Sequence, residues 1–259
     1  MNKFTPNPFP GFVPSYVNTP PKSNFPSMQI TKGVKAGTNG TLVVMLVDES
    51  GSMGSFKKQT ISGYNEFLQG QENDGDKTFI SLVKFEGSQI KKPYSKVHVK
   101  EAPRLTDQTY TPGSTTNLLD AIGFTIQDVD SLLSELSENE RPAVVIVIQT
   151  DGYENSSRSF TNSTIKALVK DREENEWTFM FLGANIDAFA TGAAFGMNAA
   201  NTANYTMSNI GDTFQTMSST VTRVKMARSM GMSTDAVYSS SMYTKEDREN
   251  MTKDVGGKK

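Results

Sequence analysis

Three features of this 259-residue chain predict an α/β fold, with a doubly wound, mostly parallel sheet, helices on both faces and one antiparallel edge strand. Apolar runs rich in β-branched residues alternate with segments of helical period. Several of those runs are apolar throughout, as strands covered on both faces must be. Two of them end abruptly in polar turns, Asp48-Glu49-Ser50-Gly51-Ser52 and Gln149-Thr150-Asp151-Gly152. In an open parallel sheet, turns at the carboxyl ends of strands share one crevice.

Composition narrows the function classes. The formal net charge of −2 gives none of the basic excess expected of a nucleic-acid binder. Cysteine is absent, which removes disulfides, thiolate metal sites and a cysteine nucleophile. No apolar run approaches the roughly 18 residues of a membrane span. Pro6, Pro8, Pro10 and Pro14 interrupt any signal-peptide core. The expectation is a soluble, cytoplasmic protein, or a virion component if phage-encoded, that engages neither nucleic acid nor membrane.

Residues 1–38 hold seven of the eleven prolines, with Phe4, Phe9, Phe12, Tyr16 and Phe25 among them. Proline removes backbone donors and favours extended chain, so this stretch reads as an arm, either a plain leader or a docking segment. Gly33, Gly37 and Gly40 read as its hinge. The domain proper is expected over residues 39–228. Thr41–Val47 is its first strand. Phe56, Ile61, Tyr64, Phe67 and Leu68 make a helix ending near Gly70, and Asp74-Gly75-Asp76 a turn. Thr78–Phe85 and Ile90–Val99 form a hairpin at the sheet edge, where Lys91, Lys92 and Lys96 guard against edge pairing. His98, the one histidine, has no acid or hydroxyl neighbour suited to catalysis and reads as a surface residue.

The loop DQTYTPGSTTN over residues 107–117 feeds a long helix through Leu118, Leu119, Ile122, Ile126, Val129, Leu133 and Leu136. Ala143–Ile148 is the most apolar run and reads as a central strand. Ile165, Leu168 and Val169 mark a helix, and Trp177–Leu182 the next strand. Ile186, Phe189, Ala190, Ala193 and Ala194 make a small-residue helix, Tyr205–Met207 a last short strand, and Ile210 to Arg228 a final helix. Residues 229–259 show no persistent period and read as a loosely attached polar tail, with Gly256-Gly257 near its end.

The topology brings Asp48, Ser50 and Ser52 to Asp151, with the hydroxyl-rich loop beside them. Two carboxylates and neutral hydroxyls suit a hard cation such as Mg²⁺, with Ca²⁺ or Mn²⁺ as alternatives. With only two formal negative charges, a bound ion stays electrophilic and can accept an acidic oxygen from a partner.

From about residue 40 to 228 the chain resembles the von Willebrand factor type A domain. The turns look like its metal-ion-dependent adhesion site: D-x-S-x-S at Asp48-Glu49-Ser50-Gly51-Ser52, a threonine in PGSTTNLLDAI, and T-D-G at Thr150-Asp151-Gly152. In similar sequences the threonine lies six residues before the apolar residue closing D-A-I, which selects Thr116, with Thr115 as the alternative. FLGANIDAFATGAAFGM also resembles the stand-alone type A proteins of bacteria and their phages. The resemblance implies Ser50, Ser52 and Thr116 as direct metal ligands and Asp48 and Asp151 acting through water. It also implies capture of a partner protein's Glu or Asp, without catalysis.

Two other functions compete. The domain could be a structural component of a larger assembly such as a phage particle, its arm docking a neighbour and its metal site architectural. A metal-dependent phosphatase using Asp48 as nucleophile would want a second acid two residues on. Ser50 stands there instead.

Overall fold

The computed structural model describes residues 32–72 and 77–253. Most of the proline-rich arm, the Asp74-Gly75-Asp76 turn and Gly256-Gly257 lie outside the described residues. Six strands form one sheet: β1 Thr41–Asp48, β2 Thr78–Glu86, β3 Gln89–His98, β4 Ala143–Thr150, β5 Thr178–Gly183 and β6 Thr202–Asn204. Their order is β3-β2-β1-β4-β5-β6, with only the β2–β3 pair antiparallel. The helices are α1 Lys57–Glu72, α2 Leu118–Ser134, α3 Asn162–Glu174, α4 Ala188–Ala194, α5 Ile210–Ser229, α6 Thr234–Ser241 and α7 Lys245–Thr252. The chain is thus a doubly wound α/β fold with an antiparallel edge. No helix among the described residues is long and apolar enough to cross a membrane.

Strand alternation divides the core in two. Val43, Met45 and Val47 of β1 face Tyr64, Phe67 and Leu68 of α1 and Phe214, Met217, Val221 and Val224 of α5. Leu42, Val44 and Leu46 face the other way, onto Ile122, Ile126 and Val129 of α2 and Ile165 and Val169 of α3. All eight residues of β1 and of β4 are buried. Burying each Val, Leu or Ile contributes about 1.5–3 kcal/mol relative to exposure, so these two strands anchor the sheet. They pair directly, Val47 opposite Gln149, which sets their carboxyl ends side by side. From there the chain winds outward in both directions, and the crevice at that reversal is where such folds place their sites.

Four expectations need correction. The last strand is Thr202–Asn204, three residues before Tyr205–Met207. Pairing with Phe181–Gly183 sets its position, while the more apolar Tyr205 buries its ring in the core. Gly33, Gly37 and Gly40 are not a hinge, because the backbone there is strapped to the domain. Gly33 N donates to Asp171 Oδ2 (2.7 Å), Ala36 N to Asn175 O (3.0 Å) and Gly37 N to Pro142 O (2.9 Å). A Cβ on Gly37 would lie 2.1 Å from Arg141 O, and Gly40 has φ +83°, so close approach and turn geometry require these glycines. Asp171 also pairs with the fully buried Arg172, which donates as well to Asp130. His98 is half-buried and caps a short turn, its Nδ1 accepting from Lys100 N.

The fourth correction concerns residues 229–253, which are not a loose tail. Ser233 and Thr244 cap α6 and α7, and both helices pack on α5. Val237, Tyr243 and Met251 join the α1–α5 core, and Arg223 of α5 pairs with Asp247 (2.8 Å). Three buried apolar residues spread over 15 positions are too sparse to show as a period, yet α5 gives them a surface to cover. Met251→Ala should therefore cost about 2–5 kcal/mol, the range for emptying a core position. Urea unfolding measures it, and a loss within about 0.5 kcal/mol would instead mean that the C-terminal helices are detached.

Candidate metal-binding site

Asp48 ends β1 with its side chain fully buried. Both carboxylate oxygens are engaged: Oδ1 accepts from Ser50 N (2.7 Å) and Oδ2 from Thr150 Oγ1 (2.6 Å). Its carbonyl accepts the Tyr110 hydroxyl (2.6 Å). The chain then turns tightly through Gly51–Phe56 into α1, which brings the Ser50 and Ser52 hydroxyls within 3.2 Å of each other. Ser52 Oγ donates to Asp151 Oδ1 (2.7 Å), joining the tip of β1 to that of β4.

The third segment is the approach to α2. Thr116 is buried and held by a reciprocal pair: its N–H donates to Asn155 Oδ1 (2.8 Å), and its carbonyl accepts from Asn155 N (3.0 Å). Its hydroxyl lies where a Cβ on Gly152 would be 3.2 Å away, beside the Asp151 turn. Among the described residues that hydroxyl makes no hydrogen bond. Thr115 is exposed, so the structure brings Thr116 rather than Thr115 to the cluster. All five candidates, Asp48, Ser50, Ser52, Thr116 and Asp151, converge from three separated segments.

Burial pushes the Asp48 carboxyl up to about 6, against the hydrogen bonds from Thr150 and Ser50, and the nearby Asp151 charge adds to the rise. Burial also raises Asp151, opposed by Ser52. Among the described residues no lysine or arginine pairs with either acid. Lys84 and Lys91 are held instead by Glu49, the residue after Asp48 (2.7 and 3.2 Å). Among the described residues there is also no group of three or more His, Cys, Asp or Glu that could hold a metal ion. Two acids and three hydroxyls are an all-oxygen set, which excludes a soft-metal centre and fits a hard divalent cation.

Several supporting residues were not singled out from the sequence. Thr150 fixes Asp48 and also accepts from Gly152 N (3.2 Å). Buried Asp120 of α2 accepts from the backbone of Arg158, Ser159 and Phe160, each at 2.9 Å. Glu154 accepts from Leu119 N (2.8 Å) at the start of α2 and from Ser156 N (2.8 Å) and Ser157 N (2.7 Å). Together these fold residues 151–160 back onto α2 and hold Asn155 against Thr116. Their signal was present in part, since an acid in the first turn of a helix and the Glu-Asn-Ser-Ser run are both turn and cap chemistry. Their partners lie about 35–40 residues away, beyond what local pattern reveals.

No protein-family model matches the sequence, and no curated protein matches it. Among solved structures, the chain is similar to proximal thread matrix protein 1 from the mussel byssus. The TM-score is 0.50 at 12% identity, over 71% of this chain and 48% of that one, so this chain spans about half the length of the mussel protein. Another structure of the mussel protein, with a zinc-occupied MIDAS motif, matches with TM-score 0.49 at 13% identity, over 70% of this chain and 48% of that one. A von Willebrand factor type A structure from Catenulispora acidiphila matches at 0.45 and 13% identity, over 75% of this chain and 47% of that one. The sheet order with its antiparallel edge and the likeness to the mussel protein lead to one conclusion: the chain shares that protein's doubly wound α/β fold, the architecture that the resemblance to the von Willebrand factor type A domain implies.

Proposed function

We propose that this domain binds a divalent cation, Mg²⁺ in the first instance, at the β1–β4 crevice and uses it to hold an acidic side chain of a partner protein. One observation carries the reading. Three hydroxyls and two carboxylates from distant segments converge, and among the described residues no basic side chain pairs with either acid. Ser50, Ser52 and Thr116 would hold the ion directly, with Asp48 and Asp151 supplying charge behind them. Asp48 suits that outer role because Ser50 N and Thr150 Oγ1 already take its two oxygens. When bound, the ion would supply an electrophilic position for a Glu or Asp carboxylate. The setting that goes with this reading, cytoplasmic or virion-associated, rests on the sequence alone: the lack of a membrane-length apolar run or signal-peptide core, and the resemblance of residues 181–197.

The same geometry argues against the phosphatase alternative. A nucleophilic aspartate must present a free oxygen to its substrate, whereas Asp48 is buried with both oxygens hydrogen-bonded. The position two residues on carries the Ser50 hydroxyl, which cannot serve as a general acid–base at neutral pH.

Asp48→Ala and Asp151→Ala should each abolish Mg²⁺ binding by calorimetry while the circular dichroism spectrum stays folded. Unchanged affinity in both variants would remove the site assignment. Thr116→Ala takes away one neutral oxygen and no charge. It should weaken chelator-sensitive capture of a partner in pull-downs more than it weakens Mg²⁺ binding.

The pH dependence has a definite sign. Without cation, folded Asp48 titrates near 6 and the unfolded residue near 3.8, so the folded state holds the proton more tightly. The group therefore destabilises the cation-free domain at pH 7, and the cost is relieved as pH falls through 6 towards 4. A shift of this size corresponds to at most about 3 kcal/mol. In chelator, Asp48→Asn should be more stable than wild type at pH 7, and the gap should narrow as pH falls through 6 and close only below the unfolded value of 3.8. Cation affinity of the wild type should fall over the same window. Thermal melts with and without chelator test both, and a gap independent of pH would contradict the burial of an ionised Asp48.

A further inference from the structure

The residue between Asp48 and Ser50 is a glutamate that the proposed chemistry does not use, and its side chain is fully buried. Oε1 accepts from Lys84 Nζ (2.7 Å) and from Thr111 N (2.6 Å). Oε2 accepts from Lys91 Nζ (3.2 Å), which also reaches Glu86 (3.3 Å). The backbone of Glu49 is engaged too: its N–H donates to Phe85 O and its carbonyl accepts from Gly113 N, both at 2.9 Å.

These contacts converge on one stretch of chain. Residues 106–116 carry no helix or strand of their own, and they end at Thr116. Glu49 holds Thr111 and Gly113, while Lys84, itself held by Glu49, donates to Thr109 O. Tyr110 donates to Asp48 O (2.6 Å), and Gly51 N donates to Ser114 O (3.0 Å). The irregular segment is thus fastened at five points, four of them on the β1 tip and one on Lys84 of β2, and the Glu49 side chain organises two of them while its carbonyl holds a third. A buried carboxylate–ammonium pair is an inefficient source of stability, since well-packed apolar residues of similar volume often do as well or better. Its contribution here is direction: it fixes a loop that has no ladder or helix to fix it.

We propose that Glu49 is a positioning residue for the cation site, acting through residues 109–114 to hold the Thr116 hydroxyl beside Asp151. The inference rests on reading the crevice as a cation site, and the two can fail separately. The segment is then already in place before a cation arrives, so binding does not have to supply the order of the loop.

The test uses the full chain and Mn²⁺ as probe, with dissociation constants measured for wild type, Glu49→Gln, Thr116→Ala and the double variant. Glu49→Gln keeps size and one acceptor but removes the charge that holds both lysines. It should weaken Mn²⁺ binding by about tenfold or more, the usual effect of losing an outer support. In the Thr116→Ala background the same change should cost less than about twofold, because the oxygen that it positions is already gone. Hydrogen exchange at Thr111 and Gly113 should quicken in Glu49→Gln. If wild type binds no Mn²⁺, the reading of the site fails and takes this inference with it. If wild type binds but Glu49→Gln matches it, or if the two losses simply multiply, the positioning role alone is overturned. Should Glu49→Gln not fold, Tyr110→Phe removes one hydroxyl from the same clamp, and the same non-additive loss with Thr116→Ala is expected of it.

Discussion

Burying a carboxylate at the end of the most enclosed strand constrains everything around it. Asp48 lies where β1 leaves a core covered on both faces, and desolvation there disfavours its charge. The neighbours answer that cost in specific ways. Thr150 donates from the adjacent strand, Ser50 from the backbone of the turn, and Tyr110 fixes the peptide carbonyl from across the crevice. Each of these contacts requires β4 beside β1 and the 106–116 segment folded over the tip. The sheet order and the site are therefore one arrangement, since neither acid could be buried so near the other without the strand pairing that places them.

The winding of the sheet assigns different work to its two ends. The carboxyl ends of β1 and β4 carry the hydroxyl and carboxylate cluster. At the opposite edge, Gly37 bonds to Pro142, just before β4 begins, and Gly33 to Asp171 beside buried Arg172. The N-terminal segment thus joins the domain at the edge away from the crevice. On the α1 face, α6 and α7 thicken the layer over α5, which holds Phe214 and Met217 against the sheet. That layer packs on α5 and adds its buried side chains to the α1–α5 core.

Hydroxyl ligands and buried ion pairs play opposite parts around the crevice. The atoms facing it are neutral oxygens and two acids whose charge burial disfavours. Behind them Glu49, Lys84, Lys91, Asp120 and Glu154 are fully engaged with backbone or with each other. Permanent charges hold the loops, and the hydroxyls and acids of the crevice keep no such partner among the described residues.

The sequence alone determined the alternation of strands and helices, the antiparallel edge and the three turns that meet. Those features are local: a run such as AVVIVI or a spacing such as D-x-S-x-S carries its signal within a few residues. What it could not supply came from partners far apart in the chain. The place of β6 depended on pairing with β5 rather than on the apolar character of Tyr205. The glycines at 33, 37 and 40 looked like a hinge until Asp171, Asn175 and Arg141 proved to be against them. Residues 229–253 lacked a period because three buried side chains suffice when α5 offers a surface. Glu49 carries no signal of its own within D-x-S-x-S, and only the tertiary structure set Lys84, Lys91 and Thr111 around it. Periodicity reports which face of an element is buried, but not which distant polar group waits there, and in a fold stitched by long-range pairs that identity is fixed by topology alone.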